Sequence, residues 1–401
     1  MSSSLRTLSG HSLIQARVEA HHHTLDLFRS MTAPSQQAEK TVPVLESVNP
    51  PLWEFGHVAW FNEYWTARNP HRAMGAEAIT SGFTRSACGL PDEVFNSALL
   101  AHRQRWDLPE WTHARIDHAL HDSHHSLMQT LSGDDALGQD PYFHRLTLAH
   151  ELMHAEAFRM TGVNLGVNLP GPQLKDLKPS VQGLRKTLSI NEGILVLAPP
   201  ADEFWFDNEG AEARWQVQAC EVDARAVTHG EYWAFVQSGG YRDRRHWSPQ
   251  GWDWVQAHSV SGPRQLMQEG GSLLRCWQGE WQEVPEDLPM MLVSAFEAEA
   301  WCRWSGGRLP TEGEWLAGAK AGMRWGDVWE WTADAFLPFS GFRSHPYQEY
   351  SAPWFGDHRL LKGSSWITSP LLRDARFRNF YRPHRNDAFA GFRSVRAVRS
   401  A

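Results

Sequence analysis

The sequence predicts a protein of two domains, a helical one followed by a mixed α+β one, and three observations lead to this prediction. The chain has 401 residues, more than the ~250–300 at which single hydrophobic cores stop growing. From about residue 13 to residue 162, apolar residues recur at three- and four-residue steps, as in amphipathic helices. After about residue 163 the pattern changes to short β-like runs between Gly- and Pro-bearing loops.

The first predicted domain is a helical bundle that covers residues 1–170. Segments such as LIQARVEAHHHTLDLFRSM and RIDHALHDSHHSLMQTL carry apolar residues along one helical face. Prolines at positions 43, 50, 51, 70, 91 and 109 separate such segments, because proline disfavours helix interiors. The simplest packing is therefore four long helices, and the interior of such a bundle can hold a metal between facing helices.

The second predicted domain has α+β structure and covers residues 185–401. The stretch NLGVNLPGPQLKDLKPS is typical of an exposed interdomain linker, which places the boundary near residues 165–185. The runs ILVLA, FWF and WQVQACEVDA predict strands. Three helices are predicted, at about His229 to Ser238, Ala295 to Ser305 and Glu312 to Lys320. The third begins with a capping box between Thr311 and Glu314.

Composition and charge argue against several classes of protein. The net charge is −8, with 38 basic and 46 acidic residues, and no Lys/Arg stripe is present, so nucleic-acid binding is not expected. No apolar run approaches the ~18 residues of a membrane span, and the N-terminus has no apolar signal-peptide core, so we expect a cytoplasmic protein. The four cysteines are far apart without a C-x-x-C pair, which predicts reduced, structural thiols.

The strongest chemical motif is a pair of histidines in a helical segment. His150 and His154 in HELMHAE are four residues apart, which places both imidazoles on one helix face about one turn apart. Two ligands do not complete a metal site, and His57 in NPPLWEFGHVAWFNEYW is the candidate for the third. A lone histidine in such an apolar helix is as often a hydrogen-bonded core residue, but the pair on another helix favours ligation.

The same motif leaves a second interpretation open, because H-E-x-x-H is also the zinc-binding pattern of metalloproteases. The extended protease pattern needs Gly and then His at fixed steps after the second His, and Ala157 and Met160 occupy those positions. A zinc metallohydrolase that uses a downstream Glu ligand therefore remains an alternative.

Two other groups of histidines are interpreted as surface residues. His21, His22 and His23 are consecutive, so they point in different directions around a helix and suit a solvated face. His118, His121 and His125 share one helix face but have polar neighbours, which is typical of an outer surface.

Several motifs together resemble the ergothioneine-type sulfoxide synthases. They are W-x-x-x-H at His57, H-x-x-x-H-x-E from His150 to Glu156, and GGRLPTEGEW, GDVWEWTADAF, KGSSW and AGFRSVR in the second half. The resemblance covers about residues 40–398, with the motifs in the right order. It implies an N-terminal DinB-like four-helix bundle and a C-terminal domain of the formylglycine-generating-enzyme type, which has a C-type-lectin-like fold.

The resemblance also implies a chemistry for the three histidines. In this family, three His ligands hold Fe(II), O2 is a co-substrate, and a sulfur substrate is joined to the imidazole carbon of hercynine, the trimethylated betaine of histidine. His57, His150 and His154 match those ligands, and imidazoles suit iron. Formylglycine-generating activity is not expected, because that enzyme uses cysteines near its C-terminal end and none follows Cys302 here.

Two departures from the family pattern indicate a different second substrate. Met153 stands where a Gln helps to hold hercynine. Tyr381 stands where an Asp, together with an Arg matched by Arg385, binds γ-glutamylcysteine. An amino-acid ammonium would lose its carboxylate partner here, whereas a sugar needs none. The chain is therefore interpreted as closest to the selenoneine synthase branch, which joins hercynine to a seleno-sugar, with a sulfoxide synthase acting on a thiol as the alternative.

The resemblance suggests roles for further residues. Asn379 would orient hercynine by hydrogen bonding, and Phe380 would offer an aromatic face to its trimethylammonium group. Arg385 would face the chalcogen substrate, and Glu156 would order a ligand imidazole. Nothing contradicts a monomer, which is the expected state. The proton donor is left open, and its candidates are Tyr347 and Tyr350.

Overall fold

A computed structural model describes residues 4–33, 42–108, 110–179, 186–198, 201 and 203–398. The first part of the chain is helical and comprises α1 (Gly10–Met31), α2 (Pro51–Trp65), α3 (Asp92–Phe95), α4 (His113–Ala136) and α5 (Tyr142–Leu165). All of these except the short α3 are long helices, and α1 and α2 each pack against both α4 and α5. The predicted helical first part is therefore confirmed.

The second part of the chain mixes helices with short strands. Its helices are α6 (His229–Gln237), α7 (Pro249–Ala257), α8 (Ala295–Trp304) and α9 (Glu312–Lys320). Its strands are β1 (Thr187–Ile190), β2 (Gly193–Leu197), β3 (Ala213–Val217), β4 (Cys220–Asp223), β5 (Leu266–Glu269), β6 (Ser272–Trp277), β7 (Glu280–Glu283), β8 (Trp329–Ala335), β9 (Arg359–Gly363), β10 (Asn379–Tyr381), β11 (Ala390–Gly391) and β12 (Val395–Ala397). This content is the α+β structure that the sequence predicts.

The strands form small sheets. Within the described ranges these sheets have the orders β1-β4-β12, β10-β9-β8-β11, β2-β3 and β5-β6-β7. Neighbouring strands run antiparallel, except that β11 runs parallel to β8. In the four-stranded sheet, β10 pairs with β9 in the register Phe380 to Leu360. This sheet contacts helix α5, where the Trp329 indole of β8 donates to Glu156 at 2.8 Å.

The two parts of the chain share one interior. A continuous cluster of buried apolar side chains extends from Leu5 in the helical part to Phe392 near the C-terminus. Polar contacts cross the same boundary: the Tyr142 hydroxyl lies 2.8 Å from His345 Nδ1, and Asn164 Nδ2 donates to the Asp387 carbonyl at 3.2 Å. The boundary is therefore a packed interface.

The predicted secondary structure of the second part is confirmed at its helices and is wrong at some strands. Helix α9 has the predicted bounds, and the Thr311 hydroxyl accepts from the Glu314 N–H at 3.2 Å. FWF is not a strand: it lies in an irregular segment, and the side chains of Phe204 and Phe206 are buried. WQVQACEVDA divides into β3 and β4, which belong to different sheets. The sequence analysis did not predict α7, which begins at Pro249 after the capping Ser248.

The predicted linker is exposed at many of its described residues but packed at some apolar ones. Leu174 and Leu177 are each 2% exposed and belong to the shared apolar cluster. Residues 180–185 of the predicted linker lie outside the described residues. The four cysteines are free thiols. Over the described ranges, no helix combines the length and apolarity that crossing a membrane requires.

Candidate metal centre

His57 lies in the middle of α2, a helix that is buried on nearly all sides. Only Leu52 and Tyr64 of its residues are not buried, in keeping with a sequence that is apolar around the whole helix. Pro51 occupies the first turn, where its missing N–H costs no helical hydrogen bond. His57 is 4% exposed, so α2 carries an imidazole into an apolar interior.

Helix α5 presents the other two histidines to α2. His150 and His154 are one turn apart on the same face, as their spacing predicts. The His150 ring stacks on Phe61 of α2, with ring centroids 3.6 Å apart and an interplanar angle of 5°. Because Phe61 is itself one turn after His57, α2 supplies both a candidate ligand and the surface that orients another.

The three imidazoles converge on one point. Ring centroids are 5.0 Å apart for His57 and His150, 5.2 Å for His57 and His154, and 4.4 Å for His150 and His154. One ligand atom from each lies within 4.8 Å of the others. In the part of the chain that the structure describes, this is the one group of His, Cys, Asp or Glu residues with such geometry.

Hydrogen bonds fix two of the rings through Nδ1. His57 Nδ1 lies 2.7 Å from the Phe95 carbonyl oxygen, and His154 Nδ1 lies 2.7 Å from Glu54 Oε1. Since both acceptors require an N–H, Nδ1 carries the proton and Nε2 keeps a lone pair in each ring. His150 Nδ1 is buried without a hydrogen-bond partner among the described residues, so stacking on Phe61 is what fixes this ring.

The donor set fits a divalent transition metal. Burial lowers the pKa of His57 to about 3, and burial lowers the pKa of His150 well below its ordinary value. Both imidazoles are therefore neutral at physiological pH, which is the form that binds a metal. A set of three imidazole ligands suits Fe(II) or zinc and leaves further coordination positions for other ligands.

The three histidines open onto a cavity of about 690 Å³ between the helical part and the second part. Its walls are mostly apolar and aromatic, with a few polar groups, as in many small-molecule sites. Of the residues that the sequence analysis proposed for the site, the structure places these on the cavity: Met153, Glu156, Tyr347, Tyr350, Asn379, Phe380 and Tyr381. Residues far apart in the chain are thus brought to one space.

The two candidate proton donors differ in position. The Tyr347 ring lies 6.3 Å from the His150 ring and 4.9 Å from Phe61, measured between centroids. Tyr350 instead stacks on Phe206 at 4.4 Å. Burial raises the pKa of both phenols, so both remain protonated at neutral pH. Tyr347 is therefore the tyrosine in contact distance of the candidate ligands.

The wall opposite the histidines includes β10. Burial raises the pKa of Tyr381 to about 12, so its hydroxyl is neutral. Arg385 was expected to face a substrate, but it is absent from the cavity lining. Its guanidinium forms an ion pair with Asp387, with an Nη2–Oδ2 distance of 2.8 Å, and lies over the Tyr381 ring. Arg385 is thus paired with Asp387, only two residues on, and its role towards a substrate stays a prediction.

Glu156 does not order an imidazole, contrary to expectation. Its oxygens accept from the Trp329 indole at 2.8 Å and from the Ser365 and Thr368 hydroxyls at 2.7 Å each. Two residues beyond His154, Glu156 points to a different side of α5, towards the second part of the chain. The carboxylate that fixes a candidate ligand is Glu54, which is 3% exposed and lies one turn before His57 on α2.

The zinc metallohydrolase interpretation requires Glu151 to act as a base at the metal, and its contacts point elsewhere. Glu151 accepts from the Thr24 hydroxyl at 2.7 Å and from Asn62 Nδ2 at 3.0 Å. Arg17 forms an ion pair with it at 3.2 Å. Glu151 is absent from the lining of the metal cavity. This arrangement removes the main support for hydrolysis.

The other histidine groups are not part of the centre. His118, His121 and His125 are exposed, as predicted. The expectation of a solvated face is wrong for His21, which is 6% exposed. Its ring stacks on His124 at 3.9 Å, because α1 packs against α4 at this point.

Sequence reasoning missed two charged residues at the site. Glu54 offered a signal, since a carboxylate in an otherwise apolar helix needs a buried partner. Arg105 offered none, because it comes from a short 3₁₀ helix, His102–Trp106, whose pattern is too brief to recognise. Its guanidinium lines the cavity, stacks over Trp53 at 3.9 Å and donates to Asn49 Oδ1 at 2.7 Å. Burial lowers the pKa of Arg105 to about 10, which leaves it charged at neutral pH.

Comparison with known proteins agrees with this architecture. The sulfatase-modifying factor enzyme 1-like domain matches residues 174–325 and 324–398, together more than half of the chain. Hercynine oxygenase of Mycolicibacterium thermoresistibile is 27% identical over 86% of this chain and 87% of its own length. Hercynine oxygenase of Mycobacterium tuberculosis is 28% identical over 86% of this chain and 90% of its own.

A third relative matches the second part alone. Inactive C-alpha-formylglycine-generating enzyme 2 of Mus musculus is 31% identical over 40% of this chain and 68% of its own length. The chain therefore belongs to the family with a sulfatase-modifying factor enzyme 1-like domain, and its predicted place among the ergothioneine-type sulfoxide synthases is confirmed.

Proposed function

We propose that this protein is a non-haem Fe(II)- and O2-dependent synthase that joins the imidazole carbon of hercynine to the selenium of a seleno-sugar. The observation that carries the proposal is a convergent group of three buried histidines that opens onto a cavity with Tyr381 on its wall. Similarity to two hercynine oxygenases over most of the chain supports hercynine and dioxygen as substrates. The alternative is a sulfoxide synthase that joins hercynine to a thiol.

His57, His150 and His154 would hold the iron. When bound, Fe(II) supplies one-electron chemistry with O2 and a Lewis acid for the chalcogen. The chain contributes orientation: the Phe95 carbonyl and Glu54 keep Nε2 of two rings unprotonated, and Phe61 fixes the plane of the third. Such support reduces the reorganisation that ligand binding would otherwise require.

Hercynine would lie between α5 and β10. Asn379 would orient it by hydrogen bonding, and its trimethylammonium group would lie against the Phe380 ring. Phe380 is held in place by stacking on Phe336 at 4.1 Å. Met153, between the two histidines of α5, would contact its apolar edge. These residues would position the imidazole carbon towards the metal.

At Tyr381 the second substrate would meet a neutral part of the wall. Tyr381 presents a hydroxyl and an aromatic face, and Arg385 behind it is neutralised by Asp387. An amino-acid substrate such as γ-glutamylcysteine needs a carboxylate for its ammonium, and Tyr381 cannot supply one. A sugar needs hydroxyl partners and an aromatic face, both of which Tyr381 offers.

Tyr347 would be the proton donor. Burial keeps its phenol protonated, and its ring is near His150 at the metal end of the cavity. A positioned acid of this kind can neutralise charge that develops on the bound reactants. Tyr350, packed on Phe206, would only shape the wall.

The architecture of the whole chain completes the proposal. The four long helices would correspond to a DinB-type bundle in a domain of residues 1–170. Residues 185–401 would form a domain of the formylglycine-generating-enzyme type with a C-type-lectin-like fold. The protein would act as a cytoplasmic monomer.

The test is anaerobic loading with Fe(II), followed by exposure to air with hercynine and either a seleno-sugar or γ-glutamylcysteine. Mass spectrometry of the products is the measurement. We expect selenium incorporation from the sugar. A sulfoxide from γ-glutamylcysteine would establish the alternative, and no modification of hercynine with either partner would overturn both.

Position 381 offers a matched pair of variants for the second substrate. Tyr381→Asp restores a carboxylate at the wall, so we expect turnover of γ-glutamylcysteine to rise relative to the sugar. Tyr381→Phe removes only the hydroxyl and should not favour γ-glutamylcysteine. Equal effects of the two variants would contradict the role of charge at this position.

A further inference from the structure

A second cavity lies on the other side of helix α5 from the metal. It has a volume of about 580 Å³ and lies between α1, α5 and the segment that follows β9. Leu152, Ala155, Glu156 and Arg159 form its α5 wall, at the three- and four-residue steps of one helix face. Glu156 lines both this second cavity and the metal cavity. The two cavities are therefore neighbours, with α5 between them.

The lining of the second cavity is mostly apolar and includes one guanidinium. Ala16, Ala20 and Leu152 contribute apolar surface, and Arg159 brings a guanidinium that belongs to a residue only 4% exposed. Burial lowers the pKa of Arg159 to about 10, so it stays charged at neutral pH. A buried charge is costly unless an opposite charge lies against it.

Arg159 has no carboxylate partner among the described residues. Among the described residues its side chain forms one hydrogen bond, from Nη2 to His23 Nε2 at 3.2 Å, in which the imidazole must be the acceptor. Glu156 attracts it electrostatically, but the oxygens of Glu156 already accept from Trp329, Ser365 and Thr368. Glu19 also lines the cavity, and it is exposed and bonded to Gln15 at 2.9 Å.

The guanidinium lies against the backbone at Gly171. A Cβ atom at this position would lie 1.9 Å from Arg159 Nη2, so a larger residue there would displace the guanidinium. Gly171 also has φ +105, a conformation that other residues rarely adopt. A guanidinium that forms no ion pair with a carboxylate among the described residues, beside an apolar surface, suits a ligand with an anionic head and an apolar tail.

We propose that the second cavity binds a small carboxylate with an apolar tail, its head on Arg159 and its tail along Ala16, Ala20 and Leu152. This site goes beyond the proposed function, because it needs neither the metal nor hercynine. The head would accept from the Arg159 guanidinium in place of the missing ion pair. The tail would remove apolar surface from water, which gives affinity in proportion to the area buried.

The test uses three probes on the full-length, metal-free chain, with binding measured by isothermal titration calorimetry. Hexanoate has both head and tail, 1-hexanol has the tail alone, and acetate has the head alone. We expect hexanoate to bind at least about tenfold more tightly than either of the others, since a charge-assisted hydrogen bond is worth at least that factor. Hexanol binding as tightly as hexanoate, or no binding of hexanoate, would overturn the proposal.

Variants locate the binding in the second cavity. Arg159→Gln removes the charge, and Ala16→Phe fills the space while leaving Arg159 in place, so each should weaken hexanoate at least about tenfold. Arg115→Gln makes the same chemical change at an exposed residue of α4 and should leave binding unaltered. Hexanoate binding that survives in folded Ala16→Phe protein would contradict the site. Because the assay contains no iron or hercynine, its failure leaves the proposed synthase activity standing.

Discussion

The two walls of the metal cavity are built from different kinds of structure. On one side, the candidate ligands project from the long helices α2 and α5, and helix neighbours or a nearby carboxylate fix their rings. On the other side, Tyr347 lies in an irregular segment, and Asn379 to Tyr381 lie on a three-residue strand. The helical wall favours one fixed geometry for a metal, whereas the opposite wall can change its side chains without moving the ligands.

Removal of a candidate ligand from the helical wall should have the largest effect. His57→Ala takes one of three imidazoles from the centre, so we expect loss of iron and of activity to the background of the assay. Iron content after anaerobic loading is the measurement, with His118→Ala, at an exposed position of α4, as the control. Full iron content in the His57 variant would show that the centre lies elsewhere.

A change on the opposite wall should affect turnover but not iron. Tyr347→Phe removes the proposed acid while keeping the ring that packs on Phe61, so kcat should fall by about 100-fold. We expect iron content and the KM for hercynine to change little. Tyr350→Phe is the matched control, and an equal loss in both variants would contradict the assignment.

The hydrogen bond that fixes His154 on the helical wall can be weakened in two steps. Glu54→Ala removes the acceptor of the His154 N–H, and second-layer partners of this kind contribute roughly 10- to 100-fold to metal affinity. Glu54→Gln keeps an acceptor oxygen, so its loss of Fe(II) affinity should be smaller. Equal affinities of the two variants and the unchanged protein would show that Glu54 does not position the ring.

The smallest expected effect concerns acid stability of the metal-free protein. The folded pKa of His57 is about 3, below the ordinary value of 6.5. Between these values the unfolded chain binds more protons than the folded chain, so the free energy of unfolding falls as pH decreases through this window. One histidine with this difference in pKa contributes up to ~1.4 kcal/mol per pH unit to the slope of the free energy of unfolding against pH.

Urea unfolding at several pH values between about 7 and 5 would measure that slope. His57→Gln should make it shallower, because one buried titratable group is removed. His118→Gln should leave it unchanged, since that residue is exposed. A slope that does not differ between the two variants would contradict the neutral buried state of His57.

Local patterns predicted the helical wall better than the opposite wall. The spacing of His150 and His154 alone places them on one face, and helix α9 was predicted with its capping box. The carboxylate that orders a ligand imidazole was predicted wrongly, because sequence does not show which neighbouring helix brings a carboxylate to the ligands. Glu54 does so from α2, while Glu156 points to the other side of α5.

The opposite wall depends on contacts between distant segments. Tyr381 was identified from a departure in a motif, and the structure places it on the cavity. The pairing of Arg385 with Asp387 was missed, since two residues close in sequence form an ion pair only in certain backbone conformations. Strands β5 to β7 and helix α7 are short elements, and their patterns are too brief to distinguish from loops.

The candidate metal ligands and the opposite wall of the cavity come from separate stretches of the chain. The three candidate ligands all come before the end of α5 at Leu165, whereas Tyr347, Asn379, Phe380 and Tyr381 come after it. Chimaeras that exchange only residues 345–387 between relatives should therefore transfer substrate choice and retain the donor set. Mutant libraries confined to that stretch would explore new chalcogen donors on an unaltered metal scaffold.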